Sequence, residues 1–195
     1  NIRYIFVGEQ YQYDIALRVM QMSPHVKKLV IFDASVVKNP QDQSSIYFDE
    51  FLEMGDGLPK QEEVERRSDE LQPDDLANIL YTSGTTGLSK GVMQTHRQYA
   101  TAFRGHVTAL NLTDQDVILN FLPFTHIFER AWSYLCICYG CTLCVNLKPQ
   151  DVLQSMLEVH PTCMAAVPRF WEKVYAGVRE KINSSSSVQR TLMPD

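Results

Sequence analysis

Residues 81–96 read YTSGTTGLSKGVMQTH and concentrate groups suited to holding an anion. Thr82, Ser83, Thr85, Thr86 and, beyond them, Ser89 carry hydroxyl donors, and Lys90 brings a positive charge. Gly84, Gly87 and Gly91 let the backbone adopt positive φ or approach a ligand closely. Consecutive amide N–H groups in such a turn form a nest that binds phosphate oxygens. The Walker pattern is not met: counting from Gly84, the sixth position is Ser89, and Lys90 is followed by Gly91. Spacing alone therefore admits two readings, a phosphate nest and a polar hairpin turn made of ordinary turn residues.

The elements around this stretch decide how it is presented. DLANILYTS before it reads as a buried strand, and KGVMQ after it as a second strand. Thr95 followed by Gln98 matches a capping box, which predicts a helix from His96 to about Leu110. The turn thus lies between strands, and no helix dipole points at it. Upstream, RYIFVG, YDIALRVMQM and VKKLVIFD alternate strand, helix and strand within about 33 residues, a βαβ unit over 1–48. SIYFDEFLEMG runs from a short strand into a helix. Residues 49–75 hold eleven acids against three bases and read as a solvated acidic connector, stopped by Pro73.

Downstream, DVILNFLPF predicts a strand, HIFERAWSYLCICYG a helix closed by Gly140, and CTLCVNL a strand. Asp151 is set to cap VLQSMLEVH, which ends at Pro161; TCMAAV predicts another strand, and Pro168 opens a helix. On that helix Phe170, Trp171, Val174, Tyr175, Val178 and Ile182 form a stripe expected to be buried. Asn183 to Ser187 reads as a flexible end, within 183–195. The alternation argues for an α/β fold, layered α/β/α around a largely parallel sheet, in a single globular unit.

Bulk properties limit the function classes. Net charge is −5 over 195 residues, but outside residues 49–75 the balance is +3, which suits an anionic ligand, and no basic cluster resembles a nucleic-acid footprint. Five cysteines, four of them between Cys136 and Cys144, make a poor disulfide framework and point to a reducing, cytoplasmic setting. The apolar run from Ala131 to Val145 is too short and too broken for a membrane span, leaving peripheral membrane contact open. CICYGCTLC has thiols a metal would bind, but its apolar flanks favour buried cysteines over a metal site. An isolated His126 would on its own read as a capping or core histidine.

YTSGTTGLSKGV resembles the phosphate-binding signature of the adenylate-forming superfamily: acyl-CoA synthetases, luciferases and peptide-synthetase adenylation domains. LPFTHIFER, 122–130, resembles the following motif in the form used by long-chain fatty-acid–CoA ligases, and PTCMAAVPRFWEKVY their next strand-helix segment. The resemblance runs from about Asp75 to Gly177 and more weakly back to Asn1. It implies that residues 76–182 form the ATP and acyl-site region of an acyl-CoA synthetase N-terminal domain. Thr82, Ser83, Gly84, Thr85, Thr86, Gly87 and Lys90 would then line the loop holding the β- and γ-phosphates of ATP. His126 would lie near the substrate carboxylate and α-phosphate, and Phe124 and Phe128 would gate or wall the acyl channel. The implied substrates are a long-chain fatty acid, ATP with Mg2+, and coenzyme A. Glu129 and Arg130 are expected to form a local ion pair.

Two departures stand out. Ser89 occupies a position where many relatives carry proline, which leaves the loop less constrained before Lys90. The family's magnesium-binding acidic motif, its ribose-binding aspartate and its C-terminal domain lysine have no counterpart here, so the chain reads as a fragment of the large N-terminal domain. The alternatives are a ligase for another carboxylic acid and a non-catalytic nucleotide or protein-interaction module.

Overall fold

A computed structural model describes residues 2–84 and 87–184. The chain divides into two compact units, Asn1–Glu70 and Leu71–Asp195, rather than the single unit expected. The α/β class is as anticipated.

In the first unit β1 (Tyr4–Val7), β2 (Lys28–Ile31) and β3 (Ser45–Tyr47) form a parallel sheet, with α1 (Gln10–Met22) crossing between β1 and β2. Tyr13 and Ala16 of α1 pack on Val7, Leu29 and Ile31, whose aliphatic side chains each contribute about 1.5–3 kcal/mol when fully buried. The Tyr13 hydroxyl donates to Asp42 Oδ2 at 2.7 Å, while Asp42 Oδ1 accepts the amides of Ser44 and Ser45, which fixes the approach to β3.

The chain then enters α2 (Phe48–Glu53). Within the acidic stretch lies α3 (Gln61–Glu70), a helix rather than a plain connector. Its charges explain this: Arg66 and Arg67 both reach Glu63, at 2.9 and 2.7 Å, and the i,i+3 and i,i+4 spacings support a helix that buries no side chain.

The second unit begins with an antiparallel hairpin, β4 (Leu76–Thr82) and β5 (Lys90–Thr95). Only Leu80 of β4 is buried, contrary to the expectation of a buried strand, because among the described residues β4 pairs with β5 alone. Next come α4 (His96–Leu110), β6 (Val117–Asn120), α5 (Ile127–Cys138) and β7 (Thr142–Val145). β6 and β7 pair in parallel, so α5 is the crossover helix. Ile118 is buried with Phe103 of α4 and Trp132, Leu135 and Cys136 of α5. The capping box holds: Gln98 N–H donates to Thr95 Oγ1 at 3.4 Å, and Thr95 N–H to Gln98 Oε1 at 2.9 Å.

The last elements are a 3-10 turn (Pro149–Asp151), α6 (Val152–Val159) and α7 (Pro168–Ser184). Asp151 stands at the N-cap of α6 without a capping hydrogen bond, since the 3-10 turn already leads into the helix. The strand expected at TCMAAV reduces to one parallel bridge, Ile118 to Cys163. The reason is a contact distant in the chain: Thr162 Oγ1 accepts the Val117 N–H at 3.0 Å where a strand would offer a carbonyl. The α7 stripe is also not buried, with Trp171, Tyr175 and Val178 about half exposed or more. The helix runs through Asn183 and Ser184; the remainder of the expected flexible end lies outside the described residues. Among the described residues no helix is long and apolar enough to cross a membrane.

Candidate functional site

Thr82 pairs with Lys90, and Tyr81 with Gly91, at the turn end of the hairpin. Between them the loop is tight. A Cβ built on Gly84 would stand 2.3 Å from the Leu88 carbonyl oxygen, and Gly87, at φ +82°, donates its N–H to Gly84 O at 3.1 Å. Glycine is therefore required at 84 by close approach and favoured at 87 by its left-handed backbone. The Lys90 Cε lies 3.6 Å from the Gly84 Cβ position, so the lysine stem folds over the turn. Thr82, Ser83 and Lys90 are exposed. Thr85 and Thr86 lie outside the described residues.

His126 is the N-cap of α5, and its Nδ1 accepts the Phe128 N–H at 3.2 Å. An accepting Nδ1 leaves the proton of the neutral ring on Nε2, which becomes a donor for a ligand. The capping role that would be the plain reading of this histidine is thus real, and it fixes the ring. Ahead of it, His126 N–H donates to Pro123 O at 3.0 Å, closing a turn.

The expected Glu129–Arg130 ion pair is replaced by two separate ties to the same loop. Glu129, 1% exposed, accepts the Leu122 N–H on Oε1 at 3.3 Å, while Arg130 Nε donates to Phe124 O at 3.0 Å. Consecutive residues on a helix point about 100° apart, which explains the divergence. Burial pushes the Glu129 carboxyl above its usual range, with the amides of Leu122 and Phe121 pulling the other way.

Two apolar cavities adjoin the start of α5. One, about 370 Å³, is lined by Val92 and Met93 of β5, Tyr99 and Ala102 of α4, and Ile127 and Ala131 of α5. The other, about 240 Å³, shares Ala102, Ile127 and Ala131 and continues to Phe128, Trp132 and Leu135. Together they bring the strand that begins at Lys90 alongside the helix that begins after His126. Phe128 lines the second cavity; Phe124, 41% exposed, lines neither.

The cysteines expected to be buried divide: Cys144 and Cys163 are half-buried, and Cys138 faces outward on α5 and is exposed. Cys136 and Cys141 are buried, and burial, with Cys141 and Cys163 nearby, pushes the Cys136 thiol up to about 12. Sequence reasoning missed a buried polar chain: Asn120 donates to Ser133 Oγ, which donates to Glu129 O at 2.8 Å. The signal was present, since Glu129, Trp132, Ser133 and Cys136 follow i, i+3, i+4, i+7 and all face inward.

The family model described as AMP-binding enzyme matches residues 3–193. The human long-chain-fatty-acid–CoA ligase ACSBG1 is 28% identical over 198 residues, covering 97% of this chain and 27% of that protein. Long chain acyl-CoA synthetase 4 of Arabidopsis thaliana is 28% identical over 206 residues, covering 98% of this chain and 30% of that protein. The chain therefore spans under a third of the length of these relatives. Among solved structures, o-succinylbenzoate coenzyme A synthetase of Bacillus subtilis in complex with AMP aligns with a TM-score of 0.58 at 25% identity, covering 83% of this chain and 33% of that one. A red-emitting luciferase from Phrixothrix hirtus aligns at 0.64 and 17% identity, over 86% and 32%, which speaks for the fold alone. The chain belongs to the AMP-binding enzyme family, the adenylate-forming enzymes that its three ordered motifs resemble.

Proposed function

We propose that this chain supplies the phosphate-gripping and carboxylate-orienting part of a long-chain fatty-acid–CoA ligase. The carrying observation is the hairpin turn in which Gly84 admits no Cβ and Lys90 folds over the loop beside the exposed Thr82 and Ser83. Such a cradle suits the β- and γ-phosphates of ATP: amide and hydroxyl donors meet the oxygens, and the lysine neutralises charge. In the first step the fatty-acid carboxylate attacks the α-phosphorus and pyrophosphate departs, leaving the acyl-adenylate. In the second the coenzyme A thiol attacks the acyl carbon and AMP departs, leaving the thioester. Both steps depend on alignment and charge stabilisation, with no protein nucleophile.

Lys90 and the turn donors hold the departing pyrophosphate. His126, its Nδ1 engaged by the Phe128 amide, offers Nε2–H to a carboxylate or α-phosphate oxygen. Magnesium would neutralise phosphate charge as the partner of ATP; among the described residues no cluster of three or more His, Cys, Asp or Glu forms a site for it. The two neighbouring apolar cavities beside α4 and α5 suit an alkyl chain, with Phe128 in the wall of the smaller. Phe124 is proposed only for the entrance, since it lines neither cavity. A ligase for another carboxylic acid is the second reading, favoured by the likeness to o-succinylbenzoate coenzyme A synthetase.

A fatty-acid panel assayed by coenzyme A consumption on the full-length protein tests the proposal. Turnover highest with long-chain acids supports it, and turnover confined to short or aromatic acids selects the second reading.

A further inference from the structure

We infer that Glu129 is a positioning residue that, with Arg130, clasps the Phe121–His126 loop to α5 and so fixes the direction of the His126 imidazole. The inference rests on the adenylation reading of His126 given above. Its geometry is a closed set of ties between one loop and the first turn of one helix. Glu129 Oε1 takes the Leu122 N–H at 3.3 Å, and Arg130 Nε grips Phe124 O at 3.0 Å. Arg130 N–H donates to His126 O at 3.2 Å, and Phe128 N–H to His126 Nδ1. The loop is thus held before, within and after the Pro123–His126 turn. Removing the two side-chain ties leaves His126 with the helix-end contacts alone.

Glu129 is an unusual choice if only stability were at stake. It is 1% exposed beside Trp132 and Cys136, and its Oε2 has no hydrogen-bond partner; Asn120 Oδ1 is also unpartnered. Burying an incompletely paired carboxylate is costly, and an apolar residue of similar volume commonly leaves a fold equally or more stable. Ser133 gives the same segment a second anchor, since it receives Asn120 from the end of β6 and donates to Glu129 O. The carboxylate therefore sits in a rigid frame where a small displacement of the Leu122 amide is passed directly to His126, four residues on.

The test is ATP–pyrophosphate exchange with palmitate in the full-length protein carrying Glu129→Leu, Glu129→Gln, Arg130→Met or His126→Ala. Glu129→Leu is expected to lower kcat roughly 100-fold, the usual consequence of an ångström-scale misplacement, with KM for ATP changed less than about threefold and thermal stability kept. Glu129→Gln, which still accepts from Leu122, is expected to recover most of kcat, and Arg130→Met to lose about tenfold. Wild-type kcat in a folded Glu129→Leu overturns the inference. So does a loss that Gln does not relieve, or one that simply follows a lowered melting temperature. If Glu129→Leu does not fold, Arg130→Met decides, and wild-type kcat there overturns it equally. An impaired His126→Ala beside an unimpaired Glu129→Leu rejects the clasp alone; an unimpaired His126→Ala rejects the adenylation reading itself.

Discussion

Thr82 and Lys90 lie directly opposite each other where the β4–β5 hairpin enters its turn, and the lysine stem turns back over Gly84. Strand pairing, more than the loop's own composition, thus brings a hydroxyl and a cation to the two sides of one turn. The dipole of a helix plays no part in this, unlike in a Walker loop.

The turn's dimensions make Gly84 the most sensitive position in it. Gly84→Ala sets a Cβ against the Leu88 backbone, which must shift, and adenylation is expected to fall roughly 100-fold. Gly105, in the middle of α4, meets nothing within 4 Å; Gly105→Ala should leave exchange unchanged and stabilise by up to about 1 kcal/mol through helix propensity. Exchange rates and urea unfolding of the two variants check both statements. Equal activity in Gly84→Ala would mean that the turn does not need its present path.

The capping box at α4 gives a prediction about stability alone. Thr95→Ala removes the acceptor for the Gln98 amide and should cost about 1 kcal/mol in chemical denaturation. A cost near zero would indicate that the helix start is held by the Tyr99 hydroxyl on Asn78 Oδ1 instead.

Glu129 should leave a signature in the pH dependence of stability. Its folded carboxyl titrates above the usual 4.5, so the folded state binds more protons and stability falls as pH rises from about 4.5 through the raised value. Asp42 and Asp116 act with the opposite sign. Burial opposes Asp42's shift, but hydrogen bonds from Ser45 and Tyr13 prevail, and the Thr113 amide leads for Asp116; both lie below 3.8 and lose their stabilisation as pH falls. Denaturation midpoints against pH should therefore decline less steeply above 4.5 in Glu129→Gln than in the unaltered protein. An unchanged slope would mean that Glu129 ionises as an ordinary carboxyl.

Much of this was legible in the sequence, for local reasons. The capping box, the hairpin around the glycine-rich turn, the Gly140 helix stop and the Pro168 helix start all rest on backbone chemistry within a few residues. What escaped depended on neighbours distant in the chain. TCMAAV has strand composition, yet Thr162 turns its hydroxyl to Val117 and leaves a single bridge. The stripe on α7 has core periodicity, but Trp171 and Tyr175 remain open. Conversely α3 looked like a connector because it has no apolar face, and its helix is held by charge spacing. At the candidate site, motifs put Lys90 and His126 forward and helical spacing could have put Glu129 on the inward face, whereas its hold on the Leu122 amide needed coordinates.

Lys90 carries the central claim, that the hairpin grips the pyrophosphate end of ATP. The direct measurement is ATP–pyrophosphate exchange by the full-length protein with Lys90→Ala, set beside thioester formation from preformed acyl-adenylate and coenzyme A. On the proposed role of Lys90, removing its charge should reduce exchange by roughly 100-fold or more and leave the thioester step nearly unaltered. Exchange at the unaltered rate would contradict the account.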